Sequence, residues 1–301
     1  MPATQHLNWG AEALWLELVP LLPGLSVEVV ARMGSTNTEL LERARVHSAT
    51  ARRQGDNAPA TDAAARRQGD SQPCLLVAEQ QTQGRGRQGK AWQSSPGASL
   101  TFSLSLPYTP VDWSGLSLAV GLALADALDP LAPGQAPRLG LKWPNDLLLI
   151  DGSAGLGTKL GGILIETVQV AQHRLAVVGI GLNIQPLPDA QQAAGLSWGY
   201  GCVQQLWPDA TAPAVLARVA PALIRALRRF EHEGFGMLQA DFDRRDVLRG
   251  QAVTTTLAGL PQGVADGVDA TGTLWLRVGE QRHPVGSGEV SLRPAPEGLS
   301  C

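Results

Sequence analysis

Five short stretches of this chain hold residue types that can do chemistry. In order they are Ser35-Thr36-Asn37, Gly84-Arg-Gly-Arg-Gln-Gly89-Lys90, Lys142-Trp-Pro-Asn-Asp146, Lys159-Leu-Gly-Gly-Ile-Leu-Ile-Glu166 and Val178-Gly-Ile-Gly-Leu-Asn183. Among 24 Lys and Arg residues the only lysines are Lys90, Lys142 and Lys159, and all three fall inside these stretches. A compact ammonium on a flexible stem is a point charge rather than a planar fork, so lysine in an arginine-preferring chain marks places where that difference can matter.

The glycine-rich stretch fits two phosphate-binding patterns, GxGxxG and GxxxxGK, and both fail on context. Each needs a helix directly after it, because the phosphate sits on the helix N-terminus. Here Ala91, Trp92 and a Pro96-Gly97 turn lead into an alternating strand, and Ala91 stands where a P-loop has its Ser or Thr. What remains is a loose loop whose Arg85, Arg87 and Lys90 can gather around an anion beside Trp92. Lys142 ends an apolar strand before a Pro-Asn-Asp turn, so its ammonium needs either a bound carboxylate or phosphate, or a salt bridge to Asp146. Glycines inside the last two stretches mark either close approach of a ligand or bulges in a sheet. Ser35-Thr36-Asn37 could serve only as a helix cap.

The elements that must position these residues read as an α+β chain, a mixed β-sheet with helices packed on one face. Ser26 to Val30 is expected as a strand, and Thr36 with Glu39 forms a capping box that opens a helix through about Val46. Leu75 to Ala78 and Ser99 to Leu106 follow as strands, the second alternating Leu100, Phe102, Leu104 and Leu106 against Thr101, Ser103 and Ser105. An apolar helix over Trp113 to Leu128 precedes strands at Leu139 to Trp143, Leu147 to Ile150, Gly162 to Val168 and Leu175 to Ile184. Ala214 to Phe230 is an amphipathic helix, and a short helix ends near Leu248. Beyond it, strands at Gln251 to Leu257, Gly272 to Val278, Gln281 to Val285 and Glu289 to Leu292 suggest a small all-β module. Residues 1–248 and 249–301 are therefore expected as two domains. Between His47 and Pro73 the pattern dissolves into a duplicated Ala-Arg-Arg-Gln-Gly-Asp (51–56 and 65–70), and residues 49–72 read as a surface insertion.

Composition narrows the class. With 24 basic against 27 acidic residues the net charge is -3, so no positive field exists to hold a nucleic acid. Cys74, Cys202 and Cys301 are odd in number and form no CxxC pair, which fits neither a disulfide framework nor a zinc clip. No signal peptide or spanning run of ~18 apolar residues is readable, and a cytoplasmic location without membrane contact is expected.

Taken in order, the five motifs resemble the biotin protein ligases, the biotin--[carboxyl carrier protein] ligases, from about Val27 to Arg293, including the final Gly288-Glu-Val-Ser-Leu-Arg293. The resemblance implies a class II synthetase-like catalytic domain followed by an SH3-like β-barrel. It implies ATP-dependent joining of biotin to a lysine of apo biotin carboxyl carrier protein, from acetyl-CoA carboxylase or a related enzyme, through biotinyl-5'-adenylate with pyrophosphate released. Biotin and ATP with Mg2+ are then substrates, with no tightly bound cofactor and no protein-held metal.

On this resemblance biotin lies against Ser35, Thr36, Asn37, Gln81, Gly84, Arg85, Gly86, Arg87, Lys142, Gly161 and Gly162. The adenylate meets Arg87, Trp92, Lys142, Asn145, Asn183 and Arg293, and Lys142, Arg87 and Arg85 carry the catalysis. Gln88 and Lys90 stand where many relatives carry further arginines. A repressor-type member would add an N-terminal winged helix-turn-helix, for which the roughly 26 residues before the first family strand leave no room. A lipoate ligase is the other reading of the same fold, and exposed sheet edges would allow two chains to pair.

Overall fold

The strand with the cleanest alternation has both of its faces covered. The computed structural model describes residues 7–54, 72–150, 156–170, 172–187, 199–286 and 292–294, with backbone alone for 47–54 and 292–294. In chain order the elements of the larger part are α1 (Ala11–Leu18), β1 (Ser26–Met33), α2 (Thr36–Gln54), β2 (Cys74–Gln81), β3 (Ser99–Pro107) and α3 (Leu116–Leu128), then β4 (Leu139–Lys142), β5 (Asp146–Leu149), β6 (Thr158–Val170), β7 (His173–Asn183), α4 (Ala212–Glu233) and α5 (Gln239–Asp243). A second, smaller set is β8 (Ala252–Thr255), β9 (Gln262–Val268), β10 (Leu274–Val278), β11 (Gln281–Val285) and β12 (Leu292–Pro294).

The seven-stranded sheet has the order β1-β2-β3-β7-β6-β5-β4. Only β1 and β2 run parallel, joined by the crossover that contains α2; the remaining pairs are antiparallel. Leu100, Phe102 and Leu104 are fully buried in the main core with α3 and α4, each stabilising by about 1.5–3 kcal/mol. Thr101, Ser103 and Ser105 are buried as well, at 1, 0 and 4 %. A second apolar cluster of Leu40, Leu41, Cys74, Leu76 and Val177 lies on their face, where α2 covers the sheet. Helices therefore flank both faces, not one as expected. The short apolar set on α2 (Leu40, Leu41, Ala44) conceals this in the sequence, because most of that helix is polar.

Other expectations shift in detail. Helix α2 continues to Gln54 rather than stopping near Val46, since the Ala- and Arg-rich run after it favours helix. Residues 49–54 of the expected insertion thus prolong α2, and 55–71, with the second repeat copy, lie outside the described residues. The cap of α2 is Ser35, whose Oγ accepts from the Thr38 amide at 3.4 Å, while Glu39 turns to Arg43 instead of closing a capping box. Strand β9 had no counterpart in the sequence reading: Gln262, Gly263, Asp266 and Gly267 are poor strand formers, yet Val264 and Ala265 pair with β10.

The five-stranded antiparallel sheet, order β11-β10-β9-β8-β12, is consistent with the expected SH3-like module. Its inner residues Val253, Leu274, Leu276 and Val285 belong to the same apolar cluster as Leu141 and Trp143 of the larger sheet. The expected division near residue 248 follows α5. Just before it, the Leu141 amide donates to Arg245 O at 2.7 Å and the Val247 amide to Leu141 O at 3.2 Å, so this connection covers the outer edge of β4. Among the described residues no helix is long and apolar enough to cross a membrane.

Candidate active site

The Ser35-Thr36-Asn37 turn opens α2 at the end of the parallel β1–β2 pair and is almost fully buried. The Thr36 amide donates to Gln81 Oε1 at 2.7 Å, which ties the helix start to the end of β2. Asn37 donates through Nδ2 to Leu164 O at 3.1 Å and Glu166 Oε2 at 3.0 Å. Ser103, from the polar face of β3, lies 2.6 Å from both Thr36 Oγ1 and Asn37 Oδ1. Gly179 is the position that admits this: a Cβ there would stand 2.1 Å from Asn37 Oδ1. The short polar motif is thus both a cap and one wall of a cavity.

The glycine-rich loop folds back as a narrow hairpin. Trp92 N donates to Gly84 O at 2.8 Å and Gly86 N to Lys90 O at 2.7 Å, with a 3-10 turn at Arg87–Gly89. Gly84 has no room for a side chain, because a Cβ would approach Trp92 O to 2.4 Å. Arg85 bridges from this loop to Glu166 at 2.8 Å, so the loop is anchored to the carboxylate that also holds Asn37. Arg87 is half-buried, and desolvation pulls its guanidinium below the usual arginine range.

Opposite the loop, Asp146 joins two of the three lysines. Lys159 Nζ lies 2.6 Å from Asp146 Oδ1 and Lys142 Nζ 3.5 Å from Oδ2. The salt bridge allowed for Lys142 is therefore present. Burial would raise the Asp146 carboxyl, but the charges of Lys159 and Lys142 outweigh it and hold the group below the usual range. Lys142, at 5 % side-chain exposure, has its pKa lowered chiefly by burial; the Asp146 charge opposes this, and the Lys159 and Lys90 charges add to it. Lys159, at 23 %, is the more accessible ammonium, and the sequence reading gave it no role.

Trp92 lies across the glycines of the central strands. Gly162 faces Gly181 in the β6–β7 register, and a Cβ on Gly181 would meet the indole at 2.4 Å. The indole nitrogen is buried with no hydrogen-bond partner. Asn183 spends its Nδ2 on Lys159 O and Gly201 O, both at 3.0 Å, and Asn145 donates to Ile163 O at 2.9 Å.

These groups surround one cavity of about 1090 Å³. Its lining holds Ser35, Thr36, Asn37, Gln81, Gly84, Arg85, Gly86, Arg87, Trp92, Lys142, Asn145, Gly162 and Asn183, together with Asp146 and Lys159. Gly161 is not part of it: a Cβ there would press on the Leu182 side chain at 2.5 Å, so this glycine serves the packing of β6 on β7. Arg293 is described only as a backbone position of β12, opposite Thr254, and its side chain lies outside the described residues. Glu166 and Ser103 were legible only as motif and strand positions, because their roles depend on partners 81 and 67 residues away. The one carboxylate that lines the cavity, Asp146, is held by Lys159, Glu166 beside the hairpin is held by Arg85, and among the described residues no cluster suited to a metal ion exists.

Comparison with known proteins identifies the family. Residues 61–183 match the biotin/lipoate A/B protein ligase family. The chain is 33 % identical to the biotin--[acetyl-CoA-carboxylase] ligase of Mycobacterium tuberculosis, over 88 % of each chain. It is 32 % identical to the Paracoccus denitrificans enzyme of the same name, covering 87 % of this chain and 98 % of that one. The fold matches the biotin protein ligase from Aquifex aeolicus, solved in complex with biotin and ATP, with a TM-score of 0.65, 23 % identity and coverage of 91 and 100 %. With relatives of this identity over most of its length, the chain belongs to the biotin protein ligases of the biotin/lipoate protein ligase family.

Proposed function

We infer that the chain activates biotin with ATP and transfers it to a lysine of a biotin carboxyl carrier protein. The observation that carries this reading is a single cavity in which a polar cradle (Thr36, Asn37, Gln81), a cationic glycine loop and the Lys142-Asp146-Lys159 cluster face one another. In the first step a biotin carboxylate oxygen attacks the α-phosphorus of ATP and pyrophosphate leaves. Two anions meet, so the requirement is positive charge fixed where negative charge accumulates, with no general base. Lys142, Lys159, Arg85 and Arg87 supply it, the lysines held in place by Asp146. In the second step the acceptor amine attacks the carbonyl of the mixed anhydride, loses a proton, and AMP leaves. Until then water must be kept away, which suits a hairpin that closes over the adenylate.

Asp146 and Glu166 are committed to cations, so the residues here do not fit a resident magnesium ion; Mg2+ belongs to this reading only as the counter-ion of ATP. A cytoplasmic location, a carrier-protein partner and an SH3-like domain from about residue 249 complete the reading. The test is biotin-dependent ATP–pyrophosphate exchange followed by transfer to an apo carrier domain, with lipoate as the competing acid. Exchange with lipoate and none with biotin would overturn it.

A further inference from the structure

The proton count around Ser103 has a consequence for what the cradle accepts. Three oxygen–oxygen contacts meet there: Ser103 Oγ to Asn37 Oδ1 at 2.6 Å, Ser103 Oγ to Thr36 Oγ1 at 2.6 Å, and Thr36 Oγ1 to Gln81 Oε1 at 3.2 Å. Two hydroxyl groups supply only two protons for them. The amide orientations are fixed independently. Asn37 Nδ2 faces the Leu164 carbonyl and the Glu166 carboxylate, so its Oδ1 must face Ser103. Gln81 Oε1 receives the Thr36 amide at 2.7 Å, so oxygen rather than nitrogen faces Thr36.

Asn37 Oδ1 can only accept, so Ser103 must donate to it. The equally short Ser103–Thr36 contact then takes its proton from Thr36. The opposite assignment, with Ser103 donating to Thr36 and Thr36 to Gln81, would leave two bare oxygens at 2.6 Å. Nothing is therefore left for the longest contact, and Thr36 Oγ1 and Gln81 Oε1 stand as adjacent acceptors, both on the cavity wall.

We propose that Ser103 is a specificity-determining positioning residue: by accepting the Thr36 proton it leaves a two-oxygen acceptor that admits an N–H of the bound acid's ring and rejects an oxygen in its place. Ser103 is wholly buried on β3 and acts through Thr36 and Asn37 rather than by touching the ligand. This rests on biotin being the ligand, whose cyclic urea carries two N–H groups and one carbonyl. A buried acceptor left without a donor is costly, so the pair discriminates by what a wrong ligand fails to supply.

The test is calorimetric titration of the full chain with biotin and with the two cyclic carbamates in which one or the other urea N–H is replaced by oxygen. Wild type is expected to bind at least one carbamate tenfold or more weakly than biotin. In Ser103→Ala the Thr36 hydroxyl regains freedom to donate; biotin should weaken about fivefold to tenfold, that carbamate less than twofold, and KM for ATP stay within twofold. Equal weakening of both ligands would mean that Ser103 only packs, and an unchanged preference would likewise overturn the proposal. Should Ser103→Ala not fold, wild type decides alone, because equal affinity for biotin and both carbamates refutes it. Failure of wild type to bind biotin at all overturns the reading of function itself and is seen in the first titration.

Discussion

The indole N–H of Trp143 donates to the Gly272 carbonyl over 3.0 Å, so a turn of the small sheet holds the residue that separates Lys142 from the Pro144-Asn145-Asp146 turn. Trp143 is fully buried, while the residues on either side of it line the cavity. Among the described residues the second sheet therefore supports the lysine cluster without lining its cavity.

Replacing Trp143 with Phe keeps most of the ring and removes the donor. The stranded Gly272 carbonyl should cost about 1–3 kcal/mol of stability by denaturant titration. Pyrophosphate exchange should slow about tenfold at saturating substrates, since positioning errors of an ångström reduce rates by that order or more. Biotin affinity should fall less than the exchange rate, because the Thr36, Asn37 and Gln81 contacts do not involve Trp143. A variant less stable but undiminished in exchange rate would show that the latch serves only folding.

The lysine cluster sets a pH dependence. Lys142 has a depressed pKa, so its charge is lost at a lower pH than the ordinary lysine value of 10.5. Exchange activity should accordingly fall on an alkaline limb below 10.5. Lys159 contributes to that depression, so Lys159→Gln should lower the rate and also move the limb upward. Lys142→Ala should lose about 10²–10³ in rate while remaining folded. A Lys159→Gln profile with its limb unmoved would separate the two lysines and remove Lys142 from the titrating step.

Gly181→Ala tests the floor beneath Trp92. The added Cβ would sit 2.4 Å from the indole, so the ring must move. If Trp92 flanks the adenine, KM for ATP should rise at least tenfold while biotin binding changes little. An equal loss for both substrates would place Trp92 between them instead.

What the sequence revealed depended on how local each role is. The lysine turn and glycine hairpin were legible because each motif carries its own backbone geometry: Gly84 admits Trp92 O, and Lys142 and Asp146 face each other across a tight turn. The Arg85–Glu166 tether and the Ser103 contacts were not, because they join residues far apart in the chain and look like ordinary strand positions. Placement of α2 was missed for a related reason. The Thr101, Ser103 and Ser105 stripe looks like a solvent face, yet a mostly polar helix covers that face, and two of its hydroxyls pair internally, Ser103 with Thr36 and Asn37 and Thr101 with Ala78 O at 2.7 Å.

Asp246 lies beside β4, its Oδ1 accepting from the Leu248 amide at 2.9 Å and its Oδ2 buried without a partner. Desolvation raises its pKa to about 6, assisted by nearby Asp243 and opposed by Arg249. The folded protein binds a proton here that the unfolded chain has released above its ordinary value of 3.8, so this group's contribution falls as pH rises from 3.8 to about 6 and stays low beyond. Asp246→Asn removes the ionisation and keeps the accepting oxygen. It should raise stability at pH 7 by about 1–3 kcal/mol and leave it nearly unchanged at pH 4. A gain of equal size at both pH values would point to packing rather than to charge.

Arg87 differs from Arg85 in its tether. Arg85 is fixed to Glu166, whereas Arg87 occupies the tip of the hairpin, half-buried, with Asp146 the acidic charge that favours its ionised form. On the proposed function the tip is placed to hold the adenylate phosphate and keep water out, while Lys142 and Lys159 support its formation from the opposite wall. Arg87→Gly should therefore weaken retention of biotinyl-adenylate at least tenfold and lower the rate of its synthesis much less. The released anhydride would acylate exposed amines mostly on added protein, since the enzyme's only side-chain amines are Lys90, Lys142 and Lys159, two of which bind Asp146. Adenylate off-rate measured in stopped flow, with mass spectrometry of a lysine-rich bystander protein, checks both halves. Labelling confined to the carrier lysine at an unchanged off-rate would show that the hairpin tip is not what retains the intermediate.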